Sequence, residues 1–477
     1  MKKINKNDPL LKYGGYASVM TAIFLTVIII ANVIVSSLDI QFDLTKNGLY
    51  TLTEDTIDLV EGLEEDVNIY TLYASGYEQD VVPQIIDKYA NYSDHIIIEN
   101  VDPYTDPGFL ARYTKNDDSP TMGDVVVETA KDFVVIPYDK LTDFSVNEQT
   151  QTTYVKGVKV EGVLTGTIRR LTKGTAEMIY ELTGHGEYAL GDGLKQELGY
   201  SGYDVQTLDY LVVGYIPDDC SVLIINCPNQ DLSEGEYDAI KSYLENGGSA
   251  FITLPFDVKE YPFLDKLLAG YGVANSHEIV IEGTATSVIN NNPVYIIPQI
   301  NDTTIIGASM ASAGVKALTP ITLGIERLDT KRSTTYIDTV ASSSVYSYAK
   351  DIAEVTTSSA GMAEGDTAGP IDLIVAITDT DNAGDRFGTK LVVAGTSMIL
   401  EDDVNTITNG GNFGLVLNAF DYLTESEMSN RTKSIAAEEY LNMTQSTGII
   451  IILICVFVIP LSILMVGLVV FFRRRNR

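Results

Sequence analysis

Cations, cysteines and histidines are scarce in this sequence, and each scarcity narrows the possible functions. There are 32 Lys and Arg residues against 65 Asp and Glu, which leaves a net charge of −33. So acidic a surface repels phosphate backbones, which argues against nucleic-acid binding. It instead keeps a large domain soluble, or attracts cations or a basic partner. The three cysteines contain no C-x-x-C pair, so redox chemistry has no support.

Several catalytic motifs are also missing from the sequence. There is no G-x-x-x-x-G-K-[ST], which argues against an ATPase, and no H-E-x-x-H or G-x-S-x-G, which leaves metalloprotease and serine-hydrolase chemistry unsupported. Cys220 and Cys227 flank a predicted strand that would hold them roughly 23 Å apart, too far for a disulfide. The sequence therefore predicts no enzyme, no cofactor and no metal.

Two long apolar segments, 16–36 and 448–472, contain no charged residue. Each is long enough to cross a hydrocarbon core of about 30 Å, so both are expected to be transmembrane helices. Basic residues lie outside both segments, namely Lys2, Lys3, Lys6 and Lys12 at one end and Arg473, Arg474, Arg475 and Arg477 at the other. The positive-inside rule then places both termini in the cytoplasm of a cell-membrane protein and the bulk of the chain outside.

Between these segments the pattern is α/β. Strand–helix–strand spacing up to residue 160 predicts a small N-terminal α/β domain. Further on, continuous apolar strands alternate with amphipathic helices, which is typical of a parallel, flavodoxin-like sheet covered on both faces. Residues 280–368 suggest irregular β structure. The expected organisation is a cytoplasmic tail (1–15), a transmembrane helix (16–36), the small domain (38–160), a larger α/β domain (161–423), a stalk (424–447), a second transmembrane helix (448–472) and a basic tail (473–477).

Five stretches, in order along the chain, together resemble the GldG family of ABC transport auxiliary components. They are "FDLTKNGLYTLTEDT", "YELTGHGE", "SVLIINCPNQDLSEGEYDAIKSYLENGGSAFITLPF", "LVVAGTSMIL" with "NGGNFGLVLNAFDYL", and the tail "IPLSILMVGLVVFFRRRNR". The resemblance implies an outside α/β domain similar to that of an intraflagellar transport protein. It also implies a separate ABC ATPase and a permease as partners and, in gliding bacteria, a link to surface motility.

The sequence Gly184-His185-Gly186-Glu187 is the candidate functional site. It follows the first predicted strand of the parallel sheet, at the edge where such sheets bind ligands. The two glycines are expected to supply positive φ for a sharp turn while His185 braces the loop. Contact with a ligand or partner is the second interpretation, and acid–base catalysis by His185 and Glu187 the third.

Other candidates have simpler explanations. Cys227 is expected to be a buried structural thiol. Residues 379–388 begin like a calcium loop but lack the required acidic twelfth position, so a polar turn is predicted. Tyrosines near predicted loops, which are Tyr77, Tyr104, Tyr188, Tyr200 and Tyr203, can stack on sugars or pack ordinarily. Three functions therefore remain open: an ABC transport auxiliary subunit in contact with lipid, a surface module that binds glycan or protein, and an extracytoplasmic hydrolase.

Overall fold

A computed structural model describes residues 48–74, 76, 80–114, 119–146, 152–173, 177–313, 316–354, 361–380, 388–425 and 433–434, with seven further residues between 20 and 30. Residues Leu49–Arg477 form one compact unit, which contains every sheet described below, and Met1–Gly48 form a second. The rest of this section concerns the larger unit.

Twelve α-helices have described bounds. They are α1 (Glu54–Glu61), α2 (Val81–Ile86), α3 (Pro107–Arg112), α4 (Tyr138–Leu141), α5 (Val160–Lys173), α6 (Asp192–Tyr200), α7 (Tyr210–Val213), α8 (Glu234–Glu245), α9 (Pro262–Gly270), α10 (Ile305–Ala313), α11 (Asp402–Ile407) and α12 (Gly411–Thr424). Thr53 caps α1 through its side chain, which accepts the backbone N–H of Thr56.

The strands of the N-terminal part are β1 (Val67–Thr71), β2 (Ile96–Asn100), β3 (Val125–Glu128), β4 (Phe133–Ile136), β5 (Thr142–Val146) and β6 (Thr153–Val158). They are followed by β7 (Glu177–Thr183), β8 (Tyr203–Asp209), β9 (Cys220–Asn226), β10 (Ser249–Thr253), β11 (Val273–Ile281), β12 (Tyr295–Ile296), β13 (Gln299–Ile300) and β14 (Thr319–Pro320). The last are β15 (Leu323–Arg327), β16 (Thr335–Ser342), β17 (Tyr348–Asp351), β18 (Thr367–Ala368), β19 (Asp372–Asp379), β20 (Thr389–Ala394) and β21 (Lys433–Ser434).

The N-terminal part is built on a four-stranded sheet of order β2-β1-β3-β4. Its strands β1 and β2 are parallel and the other pairs are antiparallel. Apolar residues of α1, α2 and α5 pack on one face of the sheet. A separate three-stranded sheet has the order β21-β6-β5 and joins β5 and β6 to β21, a strand from much later in the chain.

The main sheet has twelve strands, ordered β18-β17-β11-β15-β19-β20-β10-β9-β7-β8, with β16 pairing with β19 and β13 with β16. Helices cover both faces, so central strands are buried on both sides. In β9, Val222 and Ile224 face the layer of α6, α10 and α12. The alternating Leu223 and Ile225 face the layer of α8 and α9. This alternation explains the continuous apolar run of β9.

Only part of this sheet is parallel, whereas the sequence predicts a flavodoxin-like parallel sheet. Strands β20, β10, β9, β7 and β8 run parallel to one another. The described pairs on the other side of β20 are antiparallel, beginning with β19 against β20. Apolar strands carry no mark of direction, and β19 returns through a short connection that a helix crossover would not allow. The domain is therefore mixed α/β.

The prediction of two membrane-anchoring helices is contradicted. Within the described residues no helix is both long and apolar enough to cross a bilayer. The longest with described bounds, α5 and α12, have 14 residues and rise about 21 Å, short of the roughly 30 Å that a span requires. Segment 448–472 lies outside the described residues, as does most of 16–36, where the seven described residues are helical. The stalk and basic tail also fall almost wholly outside them.

Candidate functional site

The candidate site begins where β7 ends. The chain turns over Gly184 and Gly186, whose φ angles are +120° and +74°, in the region that residues with a Cβ avoid. A Cβ on Gly186 would also lie 3.1 Å from Cβ of Asn229. Glycine is therefore needed at Gly186 for both conformation and space. The turn leaves His185 buried between them.

The imidazole of His185 lies between two carboxylates. Its Nδ1 is 3.0 Å from Oε1 of Glu187, and its Nε2 is 3.0 Å from Oε2 of Glu236. The three side chains are 7 %, 3 % and 0 % exposed. We call this buried group the Glu-His-Glu brace. Two ionised carboxylates can both accept only from a ring with a proton on each nitrogen, so the imidazolium form suits the geometry.

The two carboxylates reach His185 from different elements. Glu187 belongs to the same loop, and its Oε2 also accepts the backbone N–H of His185 at 2.8 Å. Glu236 is the third residue of α8, where it forms a capping box with Ser233. Its Oε2 accepts the backbone N–H of Ser233 at 2.9 Å. The brace therefore joins the β7 loop to the N-terminus of α8, whose dipole favours a carboxylate there.

The carboxylates also set the protonation of the histidine. The hydrogen bond to Glu187 raises the pKa of His185 above its ordinary value, and the negative charge of Glu236 acts in the same direction. Burial opposes this by disfavouring the charged ring, but the net shift is upward. Because the pKa of His185 is raised, its ring stays protonated on both nitrogens, and donates from both, up to a higher pH than a free histidine does.

Backbone contacts hold the rest of the loop. The carbonyl of His185 accepts the N–H groups of Asn229 and Gln230 at 2.8 and 3.0 Å, which ties the loop to the one after β9. At the far end, Oε1 of the buried Glu181 accepts the N–H of Leu190. Asn226 donates from Nδ2 to the carbonyl of Tyr188 at 2.6 Å. The loop is thus fixed along its length.

This geometry limits what His185 can do chemically. A general base or a metal ligand needs a ring nitrogen with a free lone pair, and both nitrogens already face buried carboxylates. Among the described residues there is no cluster of three His, Cys, Asp or Glu side chains that suits a metal ion. The contacts are those of a structural brace that shapes the carboxyl edge of the sheet.

The structure separates the other candidates from this group. His95 pairs with Asp66 in the N-terminal part, and His277 lies in β11 at an irregularity of the ladder. Cys227 is buried with a φ of +47°, and burial raises the pKa of its thiol. Most of the 379–388 turn lies outside the described residues.

Of the tyrosines near predicted loops, some are exposed and others are buried. Tyr104 and Tyr188 are exposed, whereas Tyr200 and Tyr203 are buried, and Tyr203 donates to Asp421 at 3.0 Å. Tyr77 lies outside the described residues. Burial leaves two of these rings unable to stack on a sugar.

Sequence reasoning missed Glu236 as the second partner of His185. The signal was the Ser233-x-x-Glu236 spacing of a capping box, which indicates where Glu236 points but not what else it meets. The two residues are 51 positions apart. Only the order of β7 beside β9 brings the β7 loop to the start of α8.

Comparison with protein-family models assigns this chain to a family. The family model ABC_transp_aux, described as "ABC-type uncharacterized transport system", matches residues 176–419, just over half of the chain. The chain belongs to this family. The match confirms the predicted ABC transport auxiliary family and does not distinguish the GldG branch. A second model, a domain of unknown function (DUF7088), matches residues 46–161. The brace of the ABC transport auxiliary chain lies within the first match.

Comparison with solved structures finds weaker similarities. The "mmIFT52 N-terminal domain" is 16 % identical, with 52 % of this chain and 98 % of that chain covered and a TM-score of 0.38. A putative ThuA-like protein from Bacteroides uniformis is 14 % identical over 52 % and 90 % of the two chains, with a TM-score of 0.32. The chain has no significant match among curated proteins.

Proposed function

We propose that this chain is a non-catalytic auxiliary subunit of an ABC transport complex, whose α/β domain couples to or gates the permease. Family membership supports the transport role. The sequence contains no Walker A motif, so ATP hydrolysis would come from a separate ATPase subunit. The proposed partners are that ATPase and the permease.

The single observation that carries the non-catalytic part is the Glu-His-Glu brace. The signature around His185 is the candidate acid–base site, and both ring nitrogens of His185 face carboxylates. An extracytoplasmic hydrolase based on His185 and Glu187 would need one nitrogen free towards substrate. The brace instead suits a rigid edge that transmits force or holds a neighbouring loop.

Co-purification tests the partnership. The full chain is co-expressed with the ATPase and permease of its transport system and purified through an affinity tag on this chain in mild detergent. Recovery of both subunits is the expected result, and recovery of neither contradicts the proposal. The variant His185→Gln is purified in the same way. If it folds and its recovery of both subunits and its transport are unchanged, the brace stabilises the fold and has no direct part in transport.

The extracytoplasmic location is part of the proposal and rests on the resemblance to the GldG family. A single cysteine placed at the exposed Tyr188 tests it by labelling intact cells with a membrane-impermeant maleimide. We expect labelling at the outside, without cell lysis. Labelling only after lysis would place the domain in the cytoplasm and contradict this part.

A further inference from the structure

Strand β8, which lies beside β7, leads into an exposed surface, in contrast to the buried brace after β7. Strand β8 lies at one end of the main sheet and pairs, among the described residues, with β7 alone. The chain then forms the one-turn helix α7 and continues to β9. Residues 203–219, "YDVQTLDYLVVGYIPDD", make up what we call the β8 surface.

This surface exposes three consecutive aliphatic side chains. Leu211 and Val212 are 71 % and 79 % exposed, and Val213 is also exposed. Asp209 fixes the turn by accepting the N–H of Val212, and Gly214 ends it in the left-handed region at φ +78°. A rigid turn that presents adjacent aliphatic residues to water is characteristic of a contact surface rather than of a core.

Acidic side chains extend from the aliphatic turn along β8 towards the other edge of the sheet. Asp209 adjoins the turn, whereas Asp204 pairs with Met178 at the start of β7, close to where Asp218 and Asp219 lead into β9. The β8 surface contains Asp204, Asp209, Asp218 and Asp219 and no Lys or Arg. None of the four forms an ion pair with a described residue at 4 Å or less. Asp204, Asp218 and Asp219 are exposed. The edge strand, the aliphatic turn and four aspartates without a described ion pair thus occur together, and Asp219 accepts a hydrogen bond from the hydroxyl of Tyr180 at 3.1 Å.

We infer that the β8 surface binds a protein partner that presents an aliphatic pocket to the turn and Lys or Arg side chains along β8. A second copy of this chain would bring the same aspartates against each other, and anionic lipid headgroups would be repelled in the same way. A cationic partner removes that repulsion. The open edge of β8 can in addition accept a strand from the partner through backbone hydrogen bonds.

On the proposed function, which this inference deepens, the partner is the permease subunit of the transport system, and the ATPase subunit is recovered through the permease. The experiment compares co-purification of both subunits with the full chain and with three variants. Leu211→Asp/Val212→Asp should reduce recovery by about tenfold or more, because it would desolvate two carboxylates in an apolar pocket. Asp204→Asn/Asp218→Asn should reduce it less, and should flatten its fall between about 0.05 and 0.5 M NaCl.

The matched control is Val345→Asp, at an exposed aliphatic position in the connection between β16 and β17. It should leave recovery unchanged. Thermal melting of every variant checks folding, and the milder Leu211→Ser replaces the double variant if that one unfolds.

The outcomes are distinct. If the original chain recovers neither subunit, the proposed function fails and this inference with it. If the original chain recovers them and the Leu211 variants do so equally, only the inference fails. Flotation of the purified chain with phosphatidylethanolamine–phosphatidylglycerol vesicles, or a dimer in light scattering, overturns it as well when either effect disappears in Leu211→Asp/Val212→Asp.

Discussion

The loop after β7 and the aliphatic turn of the β8 surface lie at neighbouring strand ends of one sheet edge, yet they are built in opposite ways. At the β7 loop three ionisable side chains, one of them from α8, are buried and pair with one another. The β8 surface exposes aliphatic side chains and leaves its acids without described ion pairs. The residues that resemble a catalytic site stabilise the fold, whereas the exposed aliphatic residues belong to no recognisable motif. A recognisable motif therefore does not by itself indicate which loop at a sheet edge binds a partner.

The largest expected effect comes from removing one member of the brace. Glu236→Ala should lower the free energy of unfolding by about 3–5 kcal/mol, because it leaves a buried imidazolium with half its compensation and removes a capping-box contact. Urea unfolding of the full chain measures it. Glu234→Ala, two residues earlier in α8 and exposed, is the control and should cost under about 1 kcal/mol. Equal effects would show that burial of Glu236 is not important.

The turn glycine comes next. Gly186→Ala should cost about 1–3 kcal/mol, since φ is +74° and the new Cβ would press against Asn229. Gly235→Ala is matched to it, because Gly235 lies in α8 with open space around its Cβ position. That control should be neutral or stabilising by up to about 1 kcal/mol. A tolerated Gly186→Ala would contradict the described turn.

The pH dependence should be smaller but has a definite sign. The folded pKa of His185 is raised, so the stability from its protonated ring is fully present below the unfolded pKa of about 6.5 and is lost as pH rises through the folded value. The stability difference between the original chain and His185→Gln should therefore shrink from pH 6 to pH 9. Urea unfolding across this range tests it, and a widening difference would reverse the assignment.

The smallest stability effect belongs to the β8 surface. Leu211→Asp should change the free energy of unfolding by no more than about 0.5 kcal/mol, because the side chain is already in water. Leu182→Asp, in the buried part of β7, is the contrast and should prevent stable folding. A large loss in Leu211→Asp would mean that the aliphatic turn packs against this chain and is not a free surface.

Much of the local structure was accessible from the sequence. The helix of α8 with Ser233 at its start, the strand of β9 and the helix α5 all follow from apolar spacing and capping residues. The position of Gly184 and Gly186 after a strand also predicted their positive φ. The expected domain boundaries and the role of the loop as a ligand or partner contact stay predictions.

Other features depended on the arrangement of the strands. Apolar composition could not tell parallel from antiparallel pairing, so the mixed character of the main sheet was missed. The membrane helices were inferred from apolar runs alone, and the described helices are shorter than a bilayer requires. Exposure of Leu211–Val213 was also invisible, because a run of aliphatic residues ordinarily predicts burial.

The sequence by itself determined the family, the alternation of strands and helices, and the turn that encloses His185, because these depend on residues close together along the chain. Only the tertiary structure decided that Glu236 completes the brace and that β8 lies at the end of the sheet. Both depend on which strand lies next to which. Side-chain pairing across 51 residues and the exposure of an edge are properties of that order, and no local pattern encodes them.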